Sequence, residues 1–132
     1  MLPALVGKDA SDLHEVVFLV DSGAFYTILP LEVVQNLGIE TTLSGPVMLA
    51  DRRVVQIALG MAYLRVLDRE GGVPIGVMEV PEPLLGITAL EALGLKVNPV
   101  EGTLEPARPY GPAALLESDN LAMIIGRSRP PR

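Results

Sequence analysis

Few residues in this chain could carry chemistry. Cysteine is absent and His14 is the one histidine, which excludes thiol nucleophiles, thiolate zinc sites and multi-histidine metal cages. Carboxylates, hydroxyls and backbone remain. Among them Asp21-Ser22-Gly23-Ala24 stands out, because it directly follows the apolar, β-branched run Val16-Val17-Phe18-Leu19-Val20. Such a run predicts a fully buried strand. A carboxylate at its end would sit at the edge of low-dielectric interior, where desolvation raises a carboxylate's pKa unless something compensates. The Ser22 hydroxyl can hold backbone or a neighbouring chain, Gly23 permits a sharp turn and an open approach, and Ala24 adds little bulk. That set suits general acid–base work on water. The same residues favour turns, so in isolation the tetrapeptide reads first as a β-turn.

The elements that must position this carboxylate are short. Thirteen glycines and twelve prolines cut the chain into segments of four to eight residues, the rhythm of a small all-β domain. After the first strand, Tyr26 to Leu29 resumes an extended pattern. Pro30 opens a short helix through Leu37, with Gly38 in the stop position. Val47–Ala50 and Val54–Leu59 flank the polar tip Asp51-Arg52-Arg53 and predict a hairpin. Met61–Leu67 reads as a further strand and Asp68–Gly72 as a solvated turn. Val73–Val80 is extended, and its Pro74 indicates an edge position or a bulge. Thr88-Ala89-Leu90-Glu91 has capping-box spacing and starts a brief helix that Gly94 stops. Leu95–Val97 and Gly102–Leu104 flank a final turn. The polar Lys8–Asp12 segment makes the region before Val16 a poor strand.

Composition bounds the rest. The 132 residues are 49% hydrophobic and 20% charged, a single globular domain by size. The net charge of -6 and only five Phe and Tyr residues argue against nucleic-acid binding. No apolar run is long enough to span a membrane, and the N-terminus lacks a secretory pattern, so a soluble, cytoplasmic protein is expected. From Glu105 the chain changes character, with five of the twelve prolines in the last 28 residues. The expected division is residues 1–105 as the domain and 106–132 as a Pro-rich tail. In that tail Ser128–Arg132 reads as disordered, and Leu121–Ile125 could supply a dimer-interface strand. His14 reads as a surface, hydrogen-bonded residue, and Tyr26, Tyr63 and Tyr110 as packing residues.

Two stretches resemble a known family. Phe18 to Pro30, an apolar strand running into Asp21-Ser22-Gly23-Ala24 and then a second strand, looks like the active-site segment of retropepsin-like aspartic proteases, especially the small prokaryotic members. Pro83-Leu84-Leu85-Gly86 with the helix after it is similar to the family's apolar-apolar-Gly signature, and Asn98–Leu104 fits its closing hairpin. The resemblance covers roughly residues 13–105. It implies an all-β fold, a small closed β-barrel of the acid-protease type with one or two short helices. In that fold the Leu84–Gly86 strand threads the loop carrying the catalytic aspartate. It also implies Asp21 as that aspartate, Ser22 and Gly23 as supports of its loop, and the Val47–Leu59 hairpin as a substrate-covering flap. Ala24, Met48, Leu49, Ala50, Asp51 and Arg52 would then line the substrate cleft. The charged tip departs from the glycine-rich flaps of retroviral members.

Peptide hydrolysis by water needs two carboxyl groups, one to take a proton from water and one to support the developing oxyanion; this shared-proton dyad is the aspartic-protease device. Asp9, Asp12, Asp51, Asp68 and Asp119 lie in no second motif of this kind. One copy per chain therefore implies a symmetric homodimer contributing two Asp21 residues. The expected activity is endopeptidase cleavage of a polypeptide substrate, with no metal or organic cofactor. The alternatives are a retropepsin-fold module that dimerises or binds peptides without cleaving, and an unrelated small barrel.

Overall fold

The computed structural model describes residues 1–107. Seven strands form one sheet: β1 (Leu2–Gly7), β2 (Leu13–Val20), β3 (Thr27–Leu29), β4 (Leu43–Met48), β5 (Val54–Val66), β6 (Arg69–Val77) and β7 (Leu84–Leu85). Their order is β1-β2-β7-β3-β6-β5-β4, and β1 also pairs with β5 through Leu5–Gly7 and Tyr63–Arg65. That last pairing closes a ring of six strands, a small β-barrel, with β4 added outside it. Two helices, α1 (Leu31–Leu37) and α2 (Ile87–Leu93), complete the unit Met1–Leu93. A second unit begins at Gly94. It contains the hairpin of β8 (Leu95–Asn98) and β9 (Thr103–Pro106), whose turn is capped by Asn98 Oδ1 accepting from the Val100 and Glu101 amides. Tyr110, Leu121–Ile125 and Ser128–Arg132 lie outside the described residues.

The barrel interior is filled by alternating strand residues. Val6, Phe18, Leu64, Val66, Val73, Ile75 and Leu85 are each almost wholly buried, the inward positions of a period-two pattern. On β2 only Phe18 is buried, with Val16 and Val20 of the same face half-buried. Val17 and Leu19 are each 43% exposed, so the strand is half-buried rather than buried on both faces; among the described residues no layer covers its outer side as a doubly covered sheet would require.

Several local expectations are corrected. The region before Val16 is a strand after all: the polar Lys8–Asp12 segment is the turn of the β1–β2 hairpin. Asp12 there accepts from Lys8 and lies 2.8 Å from His14 Nε2, and both contacts hold its carboxyl below the ordinary value, the Lys8 bond most. Met61–Leu67 is not separate, because β5 runs unbroken through Gly60. A Cβ at Gly60 would collide with the Glu40 carbonyl, so this glycine serves a close backbone approach and not a break. The β4 arm starts at Leu43, four residues earlier than the apolar run suggested. The β5–β6 turn is only Leu67-Asp68, between the paired Val66 and Arg69. Arg69 is 5% exposed and donates from Nη1 to the Leu93 carbonyl at 3.1 Å, satisfying an orphan carbonyl at the end of α2. Pro74 lies within the β5–β6 ladder, just before β3 begins to pair at Ile75. There β6 has a ladder neighbour on one side only, which tolerates the missing amide.

The α1 termini follow the sequence signals. Pro30 precedes the helix, and Gly38 adopts φ 69° beyond it. Gly38 N–H donates to Gln35 O and Ile39 N–H to Val34 O, a Schellman ending.

Phe18 is the largest of the fully buried side chains. Phe18→Ala is expected to lower unfolding free energy by about 3–5 kcal/mol, read from the midpoint shift in urea titration.

Candidate active site

Strand β7 enters between β2 and β3, the two strands joined by the Asp21 loop. It pairs in parallel with β2 through Leu19–Leu84 and Val20–Leu85, and antiparallel with β3 through Ile28–Leu84. The threading expected for Leu84–Gly86 is thus present. The loop is fastened along its length. Asp21 N–H donates to Leu85 O at 2.9 Å, Ile87 N–H to Ala24 O at 2.8 Å, and Thr88 N–H to Phe25 O at 3.1 Å. Gly86 N–H donates to the hydroxyl of Thr27, which is 1% exposed, at 3.1 Å. A Cβ on Gly86 would collide with the Tyr26 carbonyl and stand 2.9 Å from the Ala24 oxygen, so only glycine fits beneath the loop.

Thr88 does not cap α2. It lies inside the helix, and its hydroxyl donates to Phe25 O at 2.7 Å. The capping-box spacing is present but the loop offers a nearer acceptor.

Within the loop, Asp21 Oδ1 accepts from Gly23 N–H at 3.0 Å, and Ala24 N–H returns to Asp21 O at 3.0 Å. This turn leaves Oδ2 without a hydrogen bond among the described residues. The side chain is partly exposed and opens onto a groove of about 760 Å³. Gly23, Ala24, Phe25, Tyr26, Ile28, Met78 and Leu84 line it, together with Pro46 to Ala50 of the β4–β5 hairpin. Among the described residues Asp21 is the groove's only charged lining residue, and an apolar cleft with one convergent acid is the usual character of a ligand site. Among the described residues, no three His, Cys, Asp or Glu side chains converge as a metal-ligand set.

The hairpin tip is held by its own side chains. Arg52 N–H donates to Leu49 O at 2.9 Å and Leu49 N–H to Arg53 O at 2.8 Å. Arg52 takes φ 73°, a left-handed position that glycine usually fills in a bulged three-residue turn. Asp51 accepts from the Arg53 amide at 3.1 Å and from Arg53 Nε at 2.7 Å. The amide bond first, and the guanidinium second, hold the Asp51 carboxyl below its ordinary 3.8.

The sequence-derived site divides accordingly. Asp21, Gly23, Ala24, Met48, Leu49 and Ala50 come together around the groove. Ser22 is exposed beside it, while Asp51 and Arg52 stand beyond it at the exposed tip. Phe25, Tyr26, Ile28, Met78 and Leu84 also line the groove, beyond the residues the motif marks; the adjacent aromatics Phe25 and Tyr26, directly after the motif, are the sequence signal for them.

A model of the aspartyl protease family matches residues 6–89, a span that holds the Asp21 loop, the hairpin and β7. The chain belongs to the aspartyl protease family. None of the curated proteins compared with it matches. Among solved structures, this aspartyl protease chain is similar to EIAV protease complexed with the inhibitor HBY-793, at 17% identity and a TM-score of 0.57, over 73% of this chain and 88% of that one. That likeness establishes a retropepsin-like fold for the family member described here. Among its described residues, no helix is long and apolar enough to cross a membrane.

Because Asp51 sits below its ordinary value, the tip clamp is complete above pH 3.8 and is lost as pH falls through the lower, folded value. A carboxyl-detected NMR titration is expected to place Asp51 below 3.8. Arg53→Ala should move it upward only in part, since the residue-53 amide still donates. Gly86→Ala is expected to shift the Ala24–Tyr26 amide signals strongly and to lower the urea midpoint, leaving the β8–β9 hairpin signals in place.

Proposed function

We propose that this protein is an aspartic endopeptidase, hydrolysing polypeptides with water held between the Asp21 carboxyl groups of two copies of the chain. The observation that carries this reading is the acid in the apolar groove: Asp21, on a backbone-fastened loop, shares the groove with residues of the hairpin, and no other charged side chain among the described residues lines it. One ionised carboxyl takes a proton from water as the oxygen attacks the peptide carbonyl carbon, while the protonated partner supports the carbonyl oxygen. The tetrahedral adduct then collapses. The C–N bond breaks, the amine leaves with a proton, and the dyad returns to one shared proton without a covalent intermediate. Asp21 is the catalytic residue, with Gly23 holding Oδ1.

A second copy is required because the described chain brings no other acid into the groove. Two-fold symmetry supplies the missing carboxyl. In this reading the exposed Ser22 hydroxyl braces the active-site loop. The flap is the β4–β5 hairpin, with Met48 to Ala50 against substrate and Asp51 and Arg52 shaping its tip. The protease domain comprises residues 1–105, and 106–132 form a tail outside it.

Cleavage of an unfolded polypeptide should be measurable between pH 3 and 7. Asp21→Asn should reduce the rate by about 10²–10⁴-fold while leaving the circular dichroism and urea midpoint near wild type. Sedimentation at micromolar concentration should give a dimer, with specific activity falling on dilution below its dissociation constant. A strict monomer, or equal cleavage by both proteins, overturns the mechanism. A stable dimer with no turnover would make the chain a non-cleaving peptide-binding module.

A further inference from the structure

Away from the groove, the outer side of β1 carries an apolar patch with opposite charges on its two flanks. Leu5 stands in register with Glu15 of β2 on one side and with Arg65 of β5 on the other. Two residues back along β1, Pro3 is paired with the exposed Val17. Leu67, two residues beyond Arg65, belongs to the same place, since a hollow of about 250 Å³ is lined by Pro3, Ala4, Leu5, Glu15, Arg65 and Leu67. None of these residues lines the Asp21 groove.

Leu67 is out of place twice over. It takes φ 57° in the two-residue turn between β5 and β6, the left-handed region that glycine occupies at least cost. Its apolar side chain is also 55% exposed. Backbone strain of this kind marks a position held for function. The flanking charges are accessible. Glu15 is exposed, and Arg65 donates from Nη2 to Glu70 Oε1 at 3.1 Å with its side chain still 40% exposed. A guanidinium has five N–H donors, so one such bond leaves others to give.

The layout is complementary to itself. A two-fold axis running along β1 in the plane of contact exchanges the two flanks. It sets Leu5 against the partner's Leu5, Arg65 against the partner's Glu15, and Leu67 against the partner's Val17. Each of the last two contacts then occurs twice. Packed sheets lie about 10 Å apart, a gap that side chains of these lengths fill. An axis running across the strands would instead place Arg65 on Arg65 and Glu15 on Glu15, so the charges select one orientation.

We propose that this face is a self-association surface whose occupant is a second copy of the chain, packed β1 against β1 through Leu5, Leu67 and Val17 and oriented by Arg65 and Glu15. The contact is separate from the pairing of Asp21 loops and does not rest on it. Where those loops pair, the product is a dimer of dimers; where they do not, it is a dimer. A small patch makes a weak interface, so the step belongs to concentrations above the micromolar range.

The test is sedimentation of the full chain over rising concentration, for wild type, Arg65→Glu, Glu15→Arg and Leu67→Gly. Wild type should show an association step above the micromolar range. Each charge reversal should weaken that step by about 10-fold, because two surface ion pairs become repulsive contacts. An equimolar mixture of the two reversed chains should restore it, since every crossed contact again joins opposite charges. Leu67→Gly should weaken the step while its urea midpoint stays near or above wild type, because glycine accepts the left-handed turn without strain. Cleavage and any pairing through the Asp21 loops should be unaffected by Leu67→Gly. If Arg65→Glu unfolds beside Glu70, Glu15→Arg and Leu67→Gly carry the test. Absence of the step in wild type, a step that the variants leave unchanged, or no recovery when the two reversed chains are mixed overturns the inference. A dimer indifferent to all three variants is one joined elsewhere, and it leaves the reading of Asp21 standing while removing this one.

Discussion

The structure depends on a two-residue strand placed between the two arms of one loop. Leu84 and Leu85 supply ladder partners to β2 on one side and β3 on the other, so the residues between those strands cannot spread apart. The Asp21 amide is tied to Leu85 O and the Ala24 carbonyl to the Ile87 amide. Gly86 passes so close beneath that no side chain fits. A turn held at its start, middle and end by neighbouring backbone has little freedom left. Its carboxylate is therefore pre-oriented by main-chain geometry, and preorganised groups are the effective ones in catalysis.

Around this constraint the surroundings are arranged in contrast. Among the described residues the groove is lined mainly by apolar side chains and one acid, whereas at the hairpin tip Asp51 and Arg53 satisfy each other across the turn. Arg52, in a left-handed conformation, shows that the turn geometry is maintained even without the glycine that would adopt it at least cost.

Much of this was legible in the sequence, and the failures have physical causes. The Asp21 motif, the hairpin, the helix from Pro30 to Gly38 and the Leu84–Gly86 strand could be read because each rests on local chemistry: turn residues, a fixed proline φ, alternating apolar runs. What could not be read depended on neighbours distant in the chain. Gly60 looks like a break until the Glu40 carbonyl is known to press on it. Arg69 looks solvated until the end of α2 arrives to accept its guanidinium. Thr88 has the spacing of a cap, but spacing cannot show that Phe25 O lies within 2.7 Å. Phe25 and Tyr26 belong to the groove for the same reason, since they share it with a hairpin some twenty residues further along the chain. Likewise, an unbroken apolar run at Val16–Val20 does not reveal that one side of the strand lacks a covering layer.

The inserted strand also sets an order of events in time. Its partners lie about sixty residues earlier in the chain, and closing so wide a loop is slow compared with forming the β1–β2 or β5–β6 hairpins. The local hairpins can assemble first, while the acid-bearing turn stays loosely defined until Leu84 to Thr88 arrive. A chain still being synthesised can therefore form both hairpins before the residues that fasten the Asp21 turn have emerged.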